Sequence, residues 1–289
     1  MSISAELGEA KEVRLPQSTI RYRERGSGEP IVFVHGVMVN GDIWRKVVPL
    51  LAGEFRCIAP DWPLGGHEVA LHKDAEITPA SFAKLTDDFF QALSLNGITL
   101  VGNDTGGALC QMTITEYPDR IARLVLTTCD AYENFPPRVF RNFTWTAALP
   151  GTMFLLAQSL RPGFMRRAFF SLVAKRPVEP EILESYLGPL TSDAAVRRDL
   201  KKAMLNASSR DTLAAAKKFG QFHKPVLIAW TPEDRFFFNW KYAERLRNDF
   251  PNARLESIED SHVFVSEDQP ERLAELITAF MHETKEATV

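Results

Sequence analysis

The residues with the greatest chemical potential lie in one short stretch, Gly102-Asn103-Asp104-Thr105-Gly106, between an apolar run at 98–102 and a helix-compatible stretch. A side chain at such a strand-to-helix turn stands above the sheet edge, beside the unsatisfied N–H groups of the helix's first turn. Gly102 and Gly106 give the turn room, and Gly107 lets helix and strand approach. A fold presents a nucleophile in this way, and the residue presented here is Asp104. A carboxylate attacks carbon without needing a base to deprotonate it first. The same pattern also serves as a helix cap or a simple turn, because Asp favours both.

Three further features fall after apolar runs. Val34-His35-Gly36 ends the run 31–34. The N–H of Val37, paired with that of Thr105, could form an oxyanion site, although His-Gly is equally a tight turn with a hydrogen-bonded imidazole. Asp234 follows the run 225–230, and His262 follows the next strand candidate. Ligand and catalytic groups in open α/β sheets gather beyond the carboxyl ends of the strands, so Asp104, Asp234 and His262 are expected at one edge.

The elements that must position them read as an α/β alternation. Strand candidates are KEVRLP, STIRYRERG, Ile31–Val34, Phe55–Pro60, Ile98–Gly102, Ile121–Thr128, Pro225–Trp230 and Ala253–Ile258. Helices are expected over Asp42–Leu51, over Ser81–Leu95 and from about Asn239. In the second of these, Phe82, Leu85, Phe89 and Leu93 recur at spacings of three and four and Ser81 is the candidate cap. The alternation lapses after residue 130. Residues 131–222 have helical spacing broken by prolines and are expected to form an inserted helical cap on a core of 1–130 and 223–289. That segment carries 14 basic and 7 acidic side chains, against a whole-chain net charge of −3. Solvated faces and attraction to the acidic core account for this; steering of an anionic substrate is the other reading.

Composition narrows the functional classes. With 289 residues, 45% hydrophobic and 25% charged, the chain has material for a full core. A pI near 6.1 supplies no basic field for nucleic acid or an anionic membrane. Cys57, Cys110 and Cys129 lack paired or metal-ligand spacing. No apolar leader or run of roughly 18 apolar residues is present. The expectation is a soluble, cytoplasmic, cofactor-free and metal-free protein acting on a small organic substrate, with homodimerisation compatible but unspecified.

Taken together, VHG at 34–36, DWPLGGH at 61–67, GNDTGG at 102–107, YPDRIARLVL at 117–126, PED at 232–234 and SHVF at 261–264 resemble the α/β-hydrolase superfamily, specifically its aspartate-nucleophile branch of epoxide hydrolases and haloalkane dehalogenases. The resemblance implies a mostly parallel eight-stranded sheet with an inserted cap. It also implies a two-step mechanism in which Asp104 forms an alkyl-enzyme ester. His262, supported by Asp234, then activates the water that hydrolyses that ester, and the N–H groups of Val37 and Thr105 hold the oxyanion. Water and a small hydrophobic electrophile, an epoxide foremost, are the implied reactants; an alkyl halide and an ester or lactone are the alternatives, as is a non-catalytic ligand-binding relative.

The pattern departs from the family at several positions. The dehalogenases place tryptophan and asparagine where Thr105 and Val37 stand, leaving Trp145 in the cap as a candidate halide donor. Epoxide hydrolases protonate the ring oxygen with cap tyrosines, for which Tyr186 is the better candidate and Tyr132 the other. His35 and Asn40 are further candidates for substrate contact, Trp62 for the site mouth, and 236–240 for an apolar pocket wall. His67 and His72 are expected to be solvated.

Overall fold

The eight strand candidates become the strands of one sheet in a computed structural model, which describes residues 2–234 and 236–286, the side chains of 142–145 and 286 excepted. The strands are β1 (Glu9–Arg14), β2 (Thr19–Arg25), β3 (Pro30–Val34), β4 (Arg56–Pro60), β5 (Ile98–Asp104), β6 (Ile121–Cys129), β7 (Val226–Trp230) and β8 (Ala253–Ser257). Their order is β1-β2-β4-β3-β5-β6-β7-β8. β2 runs antiparallel to β1 and β4, and every other pairing is parallel. Ile31, Val32, Phe33, Leu100, Val101, Leu124, Val125, Leu126 and Ile228 are all buried, as both faces of a parallel sheet must be when helices cover them. β3 has β4 on one side and β5 on the other. The chain thus leaves β3 and β5 in opposite directions, opening a crevice at their carboxyl ends.

The helices are α1 (Val48–Leu51), α2 (Pro79–Ala92), α3 (Thr105–Glu116), α4 (Arg138–Thr146), α5 (Thr152–Ser159), α6 (Gly163–Phe170), α7 (Pro180–Ser192), α8 (Ala194–Asn206), α9 (Ser209–Ala216), α10 (Trp240–Asp249), α11 (Val265–Asp268) and α12 (Pro270–Glu286). Two expectations need correction. The stretch 42–51 is not one helix: a 3-10 turn at Gly41–Trp44 precedes the single turn of α1. Helix α2 is capped by Thr78, not Ser81. Thr78 accepts the N–H of Ser81 while the Ser81 hydroxyl accepts that of Thr78, a reciprocal capping box entered through Pro79. Its inner face is the expected one, with Phe82, Leu85 and Phe89 buried.

Helices α4 to α9 all lie between β6 and β7. This segment meets the rest of the chain partly through charge. Lys175 pairs with Glu233 and with Asp260 at 3.2 Å, and Arg176 with Asp260 at 3.1 Å. The polarity is reversed at α7, where Arg45 reaches Glu179 and the buried Glu267. The Lys175 and Arg176 pairs have the polarity of a basic segment against an acidic remainder, and the Arg45–Glu179 pair has the opposite one.

Candidate active site

Asp104 closes β5 and precedes the first turn of α3 with φ 54° and ψ −134°. This is a strained conformation for a residue with a Cβ, of a kind that persists where the surroundings over-determine it. The surroundings here are tight. A Cβ on Gly36 would lie 2.0 Å from Asp104 Oδ2, and one on Gly107 would lie 2.3 Å from Cys129 Cβ, so both glycines allow approaches no other residue would. Two donors converge on the carboxylate, the backbone N–H groups of Val37 and Thr105. Burial outweighs them and the nearby charge of Asp234 adds to it, so the Asp104 carboxyl is pushed up to about 7.

Asp104 and Thr105 open onto a cavity of about 270 Å³ whose other walls are almost wholly apolar. Val37, Met38 and Leu109 line it from the sheet side, Phe169, Phe170 and Val173 from α6 and the turn that follows it, and Phe237 and Phe238 from the segment after β7. The aromatic run after Asp234 thus supplies pocket wall, while Phe236 itself points to solvent. Besides Thr78, Asp104 and Thr105 are the only residues with polar side chains among the described lining.

Asp234 is buried just past β7. Its Oδ1 accepts the N–H groups of Phe236 and Phe237 at 3.0 and 3.1 Å, and its Oδ2 accepts that of Phe238 at 3.0 Å. Burial raises its pKa, and the three N–H groups and the His262 charge oppose the rise. His262 lies in the loop after β8, its N–H donating to Asp268 Oδ2 at 2.9 Å. Its Nδ1 is buried and has no hydrogen-bond partner. Asp234 therefore lies within electrostatic reach of the imidazole while its oxygens hold backbone donors; each oxygen retains accepting capacity for the unpartnered Nδ1.

Several candidates for substrate contact are placed elsewhere. His35 is fully buried: its Nε2 accepts the N–H of Trp62 at 2.8 Å and its Nδ1 donates to Gly36 O at 2.8 Å. Burial holds its pKa down at about 4. It braces the turn that carries Val37, the hydrogen-bonded alternative of the sequence reading. Asn40 caps the 3-10 turn through Asp42 N and donates to Ser185 O and Oγ at 3.1 and 2.9 Å. Tyr186 is fully buried and donates to Glu267 Oε1 at 3.2 Å; burial and that carboxylate push its pKa well above the usual range. Neither Asn40 nor Tyr186 lines the cavity, because both pin α7 to the core. Tyr132 donates to Asp249 at 2.8 Å, and Trp62 is buried against Phe82 and Phe89. His67 is buried near Asp199 at 3.3 Å, contrary to expectation, whereas His72 is exposed as expected. The side chain of Trp145 lies outside the described residues.

The sequence reading assigned no role to two polar residues. Asn103 donates to Thr127 Oγ1, Thr128 O and Val263 O at 2.9, 3.2 and 2.8 Å, tying β5 to β6 and to the loop that holds His262. Asp130, one residue past β6, is fully buried; its Oδ2 accepts the Thr105 hydroxyl at 3.1 Å and its Oδ1 has no partner. Burial and the Asp104 charge raise its pKa well above the carboxylate range. Only the parallel pairing of β6 with β5, which sets Cys129 opposite Asp104, brings it there.

Comparison with known proteins agrees with this architecture. The profile of the alpha/beta hydrolase fold family matches residues 29–270. A cis-3-alkyl-4-alkyloxetan-2-one decarboxylase of Shewanella oneidensis is 28% identical, over 92% of this chain and 86% of the relative. A haloalkane dehalogenase of Agrobacterium fabrum is 27% identical, over 89% of this chain and 86% of the relative. Among solved structures, the epoxide hydrolase CorEH superimposes with a TM-score of 0.80 at 19% identity, covering 95% of this chain and 99% of that one.

Proposed function

We propose, for a chain that belongs to the alpha/beta hydrolase fold family, that Asp104 attacks carbon directly and carries the substrate as an ester. The protein is a hydrolase of that fold. The observation that carries the finer reading is a single carboxylate, held by two backbone N–H groups, on the wall of a small apolar cavity. Such a cavity selects a small hydrophobic electrophile and excludes the bulk water that would blunt a carboxylate nucleophile.

In the first step one oxygen of Asp104 bonds to the electrophilic carbon as the carbon–oxygen bond of the substrate breaks. In the second, His262 takes a proton from water, the hydroxide adds to the carbonyl carbon of the ester, and the Val37 and Thr105 N–H groups hold the developing oxyanion. Collapse of that intermediate, with the proton passing from His262 to the departing oxygen, releases the product and leaves Asp104 as its acid, which loses that proton to become the attacking carboxylate again. Asp234 positions His262.

An epoxide is the substrate class favoured here. Ring strain drives the opening, and the relative named for alkyloxetan-2-ones also takes a strained oxygen ring. Halide displacement is the second reading, motivated by the dehalogenase relative. It is the weaker, because among the described lining residues only the Thr105 and Thr78 hydroxyls offer side-chain donors to a departing halide. The test is intact-protein mass spectrometry of His262→Gln exposed to terminal epoxides and alkyl halides. A stable adduct on Asp104 with epoxides supports the proposal; adducts from halides alone shift it to displacement. No adduct with either class, together with undiminished turnover by Asp104→Asn, overturns it.

A further inference from the structure

Opening an epoxide releases an alkoxide, a base too strong to leave unprotonated, and no described tyrosine faces the cavity. The residue beside the nucleophile does face it. Thr105 lines the cavity, and its hydroxyl lies 3.1 Å from Oδ2 of a carboxyl group sealed from solvent. We propose that Thr105 and Asp130 form a two-member proton relay, in which Thr105 protonates the opening ring oxygen and Asp130 replenishes Thr105. The inference rests on the carbon-attack reading above and supplies the acid that reading requires.

The arrangement of Asp130 argues for a resting proton on it. An ionised carboxylate that is fully buried needs donors on both oxygens, and here Oδ1 has none. Its remaining polar contacts are backbone ones: its N–H donates to Asp104 O at 3.3 Å, and its carbonyl accepts Gln111 Nε2 at 2.9 Å. The titratable neighbours are Asp104 and Cys129, which carry no positive charge in any state. Two adjacent carboxyls with no cation between them favour one shared proton. Because Asp104 is held by two N–H groups, it is the better anion and Asp130 the better acid. The same O···O contact serves hydroxyl donation in either direction.

The proton inventory balances. As Asp104 Oδ bonds to ring carbon and the ring C–O bond breaks, the ring oxygen takes the Thr105 proton. Thr105 takes the Asp130 proton, leaving Asp130 as carboxylate. Hydrolysis of the ester yields Asp104 as its acid, and transfer of that proton to Asp130 restores the starting state.

Alkylation of Asp104 in the His262→Gln background isolates the step in which the relay acts and is insensitive to the orientation of the imidazole. The substrates are methyl-, fluoromethyl- and trifluoromethyl-oxirane, whose leaving oxygens fall in basicity in that order. Adding Thr105→Val should slow methyl-oxirane about 100-fold, the low end of general-acid effects, and slow trifluoromethyl-oxirane several-fold at most. Thr105→Ser should restore the His262→Gln rates. Equal slowing across the series, or none, overturns the relay while the carbon-attack reading stands; an unalkylated Asp104 in His262→Gln alone removes both. A readout independent of turnover is the infrared carbonyl band of a protonated carboxylic acid at pH 9, where Asp104 is ionised. It should be present in the resting wild-type protein and absent from Asp130→Asn, and its absence from the wild type refutes a proton on Asp130.

Discussion

Replacing Asp104 by Asn should make the protein more stable at pH 8 and nearly unchanged at pH 4. The structure holds this carboxyl at about 7, whereas the unfolded chain ionises it near 3.8. Between those values the native state binds more protons than the unfolded state, so wild-type stability falls as pH rises through the window and levels off above it. Carried in full, the difference is about 4 kcal/mol. The amide offsets part of it, because its NH2 meets no acceptor on the apolar wall, a cost of about 1 kcal/mol. The expected gain for Asp104→Asn is therefore about 2–4 kcal/mol at pH 8. Equilibrium urea unfolding of both proteins at each pH from 4 to 9 measures it, and groups common to both cancel in the difference. Parallel stability curves across that range would refute the view that the fold holds the Asp104 carboxylate against an electrostatic cost.

The same carboxyl sets the pH dependence of turnover: kcat/KM should rise with pH and reach half its plateau near 7, since only the anion attacks, and a profile flat from pH 5 to 8 contradicts it. Gly36→Ala should abolish activity and cost about 1–3 kcal/mol of stability, because its Cβ would occupy the space of Asp104 Oδ2; near-wild-type rates by steady-state kinetics count against the close approach. Tyr186→Phe should keep kcat within about twofold while losing roughly 1 kcal/mol in thermal or urea unfolding through its bond to Glu267. A collapse of kcat in that variant with epoxides would return Tyr186 to the site.

Local spacing sufficed for what local forces decide. The apolar runs that became β3 to β7 are buried on both faces, whereas β1, β2 and β8, nearer the sheet edges, keep exposed or half-buried positions. The Asp104 turn was readable because a side chain on a strained strand-to-helix bend needs small residues within a few positions of it. The same local information pointed to Ser81 as the cap of α2; that Thr78 takes this place depended on the backbone entering through Pro79. The turn at His35 left two readings open that spacing alone could not separate.

Contacts between residues far apart in sequence decided the remainder. Asn40 and Tyr186 have suitable chemistry for a site, but their partners are 145 and 81 residues away, and those partners turn them into pins for α7. Nothing in the local sequence sets Asp130 apart, and it is the parallel pairing that sets the end of β6 beside the end of β5. A sequence specifies which groups can donate, accept or ionise. Whether a group is sealed, paired or left facing a cavity is a property of the packing, and burial is what lifts the pKa of Asp104 and Asp130 above that of an ordinary carboxyl.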